Sequence, residues 1–364
     1  MIDTNQPPSE PIASDLLELT AELVAIPSVS YNEEAMTDHL QQLLARAPWL
    51  EVSRLSNTLV ARTNLGHASR MILAGHSDTV PPNGNESPRI EDDTLWGLGS
   101  AYMKGGLAVL LQLALTVPAP AIDVTYVFYE CEEVTSGDNG LELMFTERPD
   151  LMTGDAALLA EPTAAAIEAG CQGILQVDVT TTGTRAHTAR GWLGVNAIHR
   201  IAPLIDAVTA YEGRKVEIDG CHYREGLQVV RINAGVADNV VPDSATMRLN
   251  HRFAPDRSVE QAADHIRTLM AGADEVKVVE TAPAAAPGLD HPLLQGLLAE
   301  VGGTYTGKLG WTDVARFAAR VFPAVNYGPG DPIVAHTGDE HVTRSDLESV
   351  YQVLRNLLMR TPAV

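Results

Sequence analysis

The sequence MILAGHSDTVP, at residues 71–81, carries the first strong indication of the fold. Its first four residues are apolar, as in a short buried strand, and Gly-His-Ser-Asp follows directly at 75–78. Comparable apolar runs of strand length lie at residues 57–62, 124–129 and 156–160. A helical stretch at 105–115 separates the run at 71–74 from the one at 124–129. Strands that alternate with helices predict an α/β domain with a mixed, largely parallel sheet.

The pattern changes after about residue 173. Leu175, Val177 and Val179 alternate with polar residues, as in a half-exposed strand. The elements that follow are a helix, two strands, a helix and a strand, predicted at 195–211, 227–234, 245–253, 259–271 and 275–280. This order is the ferredoxin-like βαββαβ pattern. We therefore predict a discontinuous catalytic domain at 1–173 and 285–364 and an inserted domain at 174–284.

Composition excludes several classes of partner. The 364 residues include 25 Lys+Arg and 47 Asp+Glu, for a net charge of −22, which disfavours nucleic acid and anionic membranes as partners. Three scattered cysteines favour a reducing compartment over a disulfide scaffold. No apolar run approaches the ~20 residues that span a bilayer. We expect a cytoplasmic protein.

Histidine and acidic residues follow the ends of the predicted strands. Ligands collect beyond the carboxyl ends of the strands in such sheets, so these positions form a candidate site. Three groups follow strands and one histidine lies in a late loop: His76 with Asp78, Glu132 with Glu133, Glu161, and His336.

Imidazoles and carboxylates together suit zinc, which takes nitrogen and oxygen ligands and lowers the pKa of a bound water to ~7. Glu132 and Glu133 are adjacent, so one can bind the metal while the other takes a proton from water. Asp78 can orient the ring of His76. The alternative to a metal site is that the two glutamates are ordinary surface residues and the histidines are structural. The pattern alone is compatible with both.

Several segments, in order along the chain, resemble the di-zinc aminoacylase/desuccinylase metallopeptidases. These segments are GHSDTVP (75–81), GLGSAYMKGG (97–106), CEEVTSGDNG (131–140), LAEPT (159–163) and the late AH (335–336). The similarity extends from about Leu16 through EAGCQG, GTRAHTARGWLGVNAI, RFAPDRS and NYGPGDP.

The resemblance implies a role for each matching residue. His76 and Glu161 would hold one zinc ion, and Glu133 and His336 would hold another. Glu132 would be the general base. Asp78 would hydrogen-bond to His76. The implied cofactor is Zn²⁺, one or two ions per chain, with Co²⁺ as a possible substitute.

The resemblance also implies that the inserted domain is a lid and a dimerisation module of a homodimer. His187 would reach across the dimer to stabilise the tetrahedral oxyanion. Asn239 and Arg252 would bind a small N-acyl amino-acid substrate, since arginine pairs bidentately with carboxylate. Thr312 and Gly328 would line the same pocket. Without the resemblance, Arg252 could equally be a solvent-exposed residue of a strand. His187 could be a structural histidine in a loop.

Tyr102 departs from the family pattern, which has an aspartate that bridges the two metal ions at this position. A tyrosine ordinarily ionises near pH ~10, so it supplies no negative charge at neutral pH unless a metal lowers its pKa.

Three hypotheses follow. In the first, the chain removes the succinyl group from N-succinyl-LL-2,6-diaminopimelate. In the second, it acts on another N-acyl amino acid, by hydrolysis or acyl transfer, with an altered centre such as a mononuclear one. In the third, it is a non-catalytic binding homologue. Retention of the other candidate site residues favours catalysis.

Overall fold

The computed structural model describes residues 15–134 and 137–360. The chain divides into two compact units. The first contains Met1–Ala169, Gly288–Thr306 and Arg316–Val364, and the second contains Gly170–Pro287 and Gly307–Ala315.

The second unit is larger than the insertion predicted at 174–284, because a later segment joins it. In that segment Trp311 donates its indole N–H to the carbonyl of Pro283, at 3.1 Å. The Sγ of Cys171 donates to the carbonyl of Thr312, at 3.7 Å. These contacts hold Gly307–Ala315 against the unit, although it lies outside the predicted range.

The bounds of the elements are as follows. The helices are α1 Leu16–Val24, α2 Glu34–Leu44, α3 Gly105–Thr116, α4 Gly140–Glu147, α5 Ala197–Thr209, α6 Val259–Leu269, α7 Pro292–Glu300, α8 Val314–Ala318 and α9 Arg344–Met359. The strands are β1 Glu51–Leu55, β2 Thr58–Arg62, β3 Arg70–His76, β4 Arg89–Glu91, β5 Thr94–Trp96, β6 Asp123–Tyr129, β7 Ala156–Leu159, β8 Ile167–Ala169, β9 Gly173–Thr182, β10 Lys215–Ile218, β11 Cys221–Arg224, β12 Gly226–Ala234, β13 Ser244–Phe253, β14 Glu275–Ala282, β15 Tyr305–Gly307, β16 Ala324–Asn326 and β17 His341–Thr343. Among the helices that the structure describes, none has the length and apolar character to cross a membrane.

The main sheet has eight strands in the order β1-β2-β6-β3-β7-β16-β8-β15. Its centre is parallel, since β3 runs parallel to β6 and β7, and β16 runs parallel to β7. Towards the edges, β2 pairs antiparallel with β6 and β8 antiparallel with β16. The predicted α/β class with a mixed, largely parallel sheet is confirmed.

Helices cover this sheet, so its central strands are almost completely buried. Every residue of β6 and of β7 is buried. Helix α3 is buried from Gly105 to Leu115 and packs against β3, α1 and α9. Continuous burial explains why these strands read as unbroken apolar runs rather than as alternating patterns.

The second unit has a four-stranded antiparallel sheet in the order β12-β13-β9-β14. Helices α5 and α6 pack on it around Leu175, Val177 and Val179 of β9. The chain order of these elements agrees with the predicted βαββαβ pattern.

The structure adds a hairpin, β10–β11, that the sequence analysis did not predict. Its two turn residues, Asp219 and Gly220, have φ of 49° and 75°. Asp-Gly is the dipeptide that favours a two-residue turn with both φ angles positive.

Candidate metal centre

The parallel register of the central strands brings the predicted residues to one edge of the sheet. His76, the last residue of β3, lies opposite Tyr129, the last residue of β6. Glu132 and Glu133 follow within four residues. On the other side of β3, Ala74 lies opposite Leu159 of β7, and Glu161 follows two residues later.

Asp78 holds both His76 and the turn that carries the two glutamates. Its Oδ1 accepts the backbone N–H of Glu132 at 2.9 Å, and its Oδ2 accepts that of Glu133 at 3.0 Å. The Nδ1 of His76 lies 3.0 Å from the Asp78 carbonyl and 3.3 Å from its Oδ1. Burial raises the pKa of Asp78, but His76 and the backbone N–H groups outweigh burial, and the net pKa is lowered. Asp78 is therefore an ionised clamp on the His76 ring.

His76 has one ring nitrogen that no hydrogen bond satisfies. Its side chain is completely buried, and its Nε2 has no hydrogen-bond partner among the described residues. Ligand atoms of His76, Glu132 and Glu133 all lie within 4.8 Å of one another. A buried histidine with one unsatisfied ring nitrogen, grouped with two carboxylates, suits a divalent cation.

The charges around His76 are predominantly negative. Burial lowers the pKa of His76, but the hydrogen bond with Asp78 and the charges of Asp78, Glu132 and Glu161 raise it well above its ordinary value. A bound dication would neutralise the same carboxylates. The donor set fits the metal that the resemblance implies.

His336 approaches from the late loop and pairs with Glu133. Its Nε2 lies 2.6 Å from Oε1 of Glu133, and the side chains are 45% and 10% exposed, respectively. This hydrogen bond raises the pKa of His336, with burial acting against it. The loop begins with a short 3₁₀ turn at Pro332–Val334, capped by Asp331.

Gly328 lies against the backbone that carries Glu161. Glu161 is fully buried. A Cβ atom at Gly328 would lie 2.4 Å from the carbonyl oxygen of Ala160 and 2.5 Å from that of Glu161. The backbone therefore needs glycine at 328 to come so close to the segment that carries Glu161.

Tyr102 places its ring beside both histidines. Its ring centroid lies 5.2 Å from that of His76 and 4.9 Å from that of His336, where the rings meet edge to face. It lies in a wide helical turn at Ser100–Lys104, and the Tyr102–Met103 peptide is cis.

The remaining candidates lie in the second unit. His187 is exposed, and its Nδ1 accepts the N–H of Ala189 at 3.0 Å. Asn239 is also exposed, and its carbonyl accepts the N–H of Thr188. This contact brings the His187 segment next to Asn239.

Arg252 and Thr312 are less exposed. Arg252 is partly buried, and burial lowers its pKa. Its Nε donates to Oδ1 of Asn250 at 3.2 Å. Thr312 is 2% exposed, and its Oγ1 has no hydrogen-bond partner among the residues described. Roles in substrate binding for these residues stay predictions.

Three residues that support the centre were missed in the sequence analysis. Ser30 donates its hydroxyl to Oδ2 of Asp78 at 2.7 Å. Oε1 of Glu33 accepts the backbone N–H of Cys131 at 3.2 Å. Glu340 accepts backbone N–H groups from the turn that carries Tyr102. All three are remote in sequence from their partners, and no motif marked them.

Comparison with known proteins identifies close relatives. A family model described as peptidase family M20/M25/M40 matches residues 72–360. A Mycobacterium tuberculosis protein is 49% identical over 349 residues, covering 95% of this chain and 99% of the relative; its name, succinyl-diaminopimelate desuccinylase, is provisional. The Corynebacterium glutamicum succinyl-diaminopimelate desuccinylase is 44% identical over 361 residues, covering 96% of this chain and 98% of the relative.

Solved structures share the fold at lower identity. Aminopeptidase PepT from Bacillus cereus superposes with a TM-score of 0.78 at 19% identity and covers 95% of this chain and 97% of its own. The Bacillus subtilis YXEP protein, described as a dinuclear metal-binding peptidase, has a TM-score of 0.70 at 16% identity, with 94% and 96% covered. At such identities the likeness extends to the fold alone.

Proposed function

This chain belongs to peptidase family M20/M25/M40 and is a hydrolase of amide bonds, and we propose that it removes the succinyl group from N-succinyl-LL-2,6-diaminopimelate. The products are succinate and LL-2,6-diaminopimelate. Two relatives that match nearly the full length of this chain carry the name of that activity.

The observation that carries the proposal is the buried, unsatisfied Nε2 of His76 in a group with two glutamates. His76, Glu133 and Glu161 are the proposed donors for zinc, and His336, the fourth donor that the resemblance implies, is hydrogen-bonded to Glu133. Zinc at this site would polarise the amide carbonyl and increase the acidity of the attacking water. Protein groups would supply the remaining chemistry.

Glu132 is the proposed general base. The clamp by Asp78 positions its backbone N–H, and its carboxylate lies within 4.8 Å of the ligand atoms of His76 and Glu133. It takes a proton from the attacking water and passes that proton to the leaving amine. Asp78 keeps the imidazole of His76 oriented through Nδ1, which leaves Nε2 for the metal.

The second unit is proposed to supply substrate contacts. Arg252 would pair with a carboxylate of the substrate, and Asn239 and Thr312 would bind its polar groups. His187 would stabilise the oxyanion from a second copy of the chain. These assignments rest on the family resemblance.

A homodimer is part of the proposal, and strand β12 is its proposed interface. This strand lies at the edge of the four-stranded sheet. Val230 and Ile232 on it are 55% and 49% exposed. An exposed apolar edge strand is a template for pairing, and pairing with a second copy would cover it.

The dimer is tested by light scattering during size exclusion. We expect a mass of twice 39.0 kDa for the native chain. The double change Val230→Lys and Ile232→Lys should give monomers, because lysine on an edge strand opposes pairing. Val321→Lys is the matched control, since Val321 is 90% exposed in the first unit. A native mass of 39.0 kDa would contradict the proposal.

The location is proposed to be cytoplasmic. Cys131, Cys171 and Cys221 are all buried and free, which suits a reducing compartment.

The activity is tested with the zinc-loaded protein and N-succinyl-LL-2,6-diaminopimelate. We expect equimolar succinate and free diaminopimelate. Glu132→Ala should reduce turnover by at least ~100-fold and leave zinc binding nearly intact. Unchanged turnover in that variant would exclude Glu132 as the base.

A panel of other N-acyl amino acids separates the alternatives. Faster release of a different acyl group would replace the proposed substrate. If zinc binds but no acyl compound is cleaved, the chain is a binding homologue.

A further inference from the structure

The two histidines of the centre are in different states. Nε2 of His76 is buried and lacks a hydrogen-bond partner among the described residues. Nε2 of His336 is hydrogen-bonded to Glu133, and the His336 side chain is 45% exposed. A buried nitrogen without a hydrogen-bond partner gains most from binding a cation, because no other group satisfies it. Nε2 of His336 already has a partner in Glu133.

The contact between His336 and Glu133 has the length of a hydrogen bond. Two donors bound tetrahedrally to one zinc ion at ~2.0–2.2 Å lie about 3.3–3.6 Å apart. The two atoms here are 2.6 Å apart. A carboxylate has two oxygens, so Glu133 can bind a metal through one while His336 holds the other. His336 would then position Glu133.

Tyr102 packs an aromatic ring against both imidazoles. The centroid distances of 5.2 Å and 4.9 Å are those of packed rings. In two-metal sites the ions lie ~3.5–4 Å apart and need a shared anionic ligand to offset their repulsion. The ring carbons offer neither a ligand nor a charge, and the hydroxyl is the one atom of this side chain that could bind an ion.

The backbone holds Tyr102 in this position. The carboxylate of Glu340, which is 1% exposed, accepts the N–H of Gly99 at 3.0 Å, of Ala101 at 3.1 Å and of Tyr102 at 2.8 Å. Ala101 and Met103, on either side of Tyr102, are completely buried. The backbone from which the Tyr102 ring projects is therefore anchored.

We propose that the chain binds a single divalent cation, on His76 with the carboxylates of Glu133 and Glu161, and that Tyr102 excludes a second ion. His336 is a positioning residue for Glu133. The inference rests on the proposed metal-dependent function and refines its metal centre.

The test is the metal content of the full chain, purified without chelator, equilibrated with zinc and freed of excess zinc by gel filtration. We expect one zinc per chain in the native protein and in Tyr102→Phe, which keeps the ring and removes the hydroxyl. Tyr102→Asp should bind two. Two tightly bound ions in the native protein would overturn the proposal, and a fall from two to one in Tyr102→Phe would identify the phenol as a ligand.

Histidine variants test the asymmetry independently of position 102. His76→Gln should lose the tightly bound zinc, whereas His336→Gln should retain one ion per chain. Loss of zinc from His336→Gln would overturn its role as a positioning residue. Circular dichroism of each variant checks the fold. Cobalt loaded in place of zinc gives a second readout: Tyr102→Asp should show magnetic coupling between two ions, and the native protein should not.

Failure of this inference is distinguishable from failure of the proposed function. One ion per chain without desuccinylase activity would refute the substrate and leave the single-ion centre standing. Two ions with full activity would do the reverse.

Discussion

Two buried carboxylates, Asp78 and Asp123, lie at opposite ends of neighbouring strands in the main sheet. Asp78 follows the carboxyl end of β3, whereas Asp123 is the first residue of β6 and lies opposite Arg70, the first residue of β3. They are 0% and 3% exposed. In both, burial raises the pKa and hydrogen bonds outweigh it, so that both net pKa values are lowered.

Asp123 ties down a loop. Its Oδ1 accepts the hydroxyl of Thr63 at 3.0 Å and the N–H of Leu65 at 2.8 Å. Its Oδ2 accepts the N–H of Gly66 at 3.1 Å and of His67 at 2.9 Å. Its Oδ1 also lies 3.7 Å from Nη2 of Arg70. The remaining groups that it holds are one hydroxyl and three backbone amides, none of which belongs to a candidate ligand residue.

Asp78 holds groups that themselves carry donor atoms. It fixes the backbone of Glu132 and Glu133 and the Nδ1 side of His76. Burial and a lowered pKa are therefore shared by a structural and a site carboxylate and do not distinguish them. The two carboxylates differ in their hydrogen-bonded partners, because only those of Asp78 carry side chains that belong to the candidate metal centre.

The largest expected difference between the two carboxylates concerns metal affinity. Asp78→Asn should weaken zinc binding on the order of 100-fold, because one amide nitrogen would face a backbone N–H and the His76 ring would lose its anionic partner. Competition with a chelator measures the affinity. Asp123→Asn is the matched control and should bind zinc as the native chain does. Equal weakening in the control would mean that the two ends of the sheet are coupled.

A change at Asp123 should affect the stability of the fold and leave the affinity for zinc unchanged. Asp123→Ala leaves three backbone N–H groups and a hydroxyl without their acceptor, and should lower the free energy of unfolding by about 2 kcal/mol. Zinc affinity should not change. Urea unfolding of the metal-free chain, followed by far-ultraviolet circular dichroism, measures the effect. A variant as stable as the native chain would show that water replaces the clamp.

The site residues beyond the carboxyl ends of the central strands were predictable from the sequence. Buried parallel strands produce unbroken apolar runs, and residues that follow such runs lie at the edge of the sheet where ligands bind. His76, Glu132 and Glu161 follow from that rule. Asp123 does not, since its partners lie in a loop without a pattern. The role of Glu340 was not predictable either, because it lies 238 residues from Tyr102, whose backbone N–H it accepts.

The second unit was less predictable for a related reason. In its antiparallel sheet the carboxyl ends of neighbouring strands lie at opposite ends of the sheet. The positions of the strands in the sequence therefore do not predict that His187, Asn239 and Arg252 lie close together. One missed feature did have a signal, since Asp219-Gly220 favours a tight hairpin. The later segment Gly307–Ala315 joins this unit through packing that no local pattern encodes.

The smallest expected effect is the pH dependence of the Asp123 clamp. The folded pKa of Asp123 is lower than the value of 3.8 for an ordinary aspartate. Above pH ~5 the carboxyl is ionised in both states and its full contribution to stability is present. As the pH falls below that value, the unfolded chain takes up the proton first, so the contribution is lost as the pH approaches the folded pKa. The loss amounts to about 1.4 kcal/mol for each unit by which the pKa is lowered.

The measurement is the difference in unfolding free energy between the native chain and Asp123→Asn, both held metal-free with a chelator so that zinc release does not contribute. This difference should be constant from pH ~7 to ~5 and should narrow from pH ~4 downwards. Subtraction removes the other titrating carboxylates, which the two proteins share. A difference that widens on acidification would mean that burial dominates and that the folded pKa of Asp123 is raised. The ionised carboxylate of Asp123 would then destabilise the folded state instead of stabilising it.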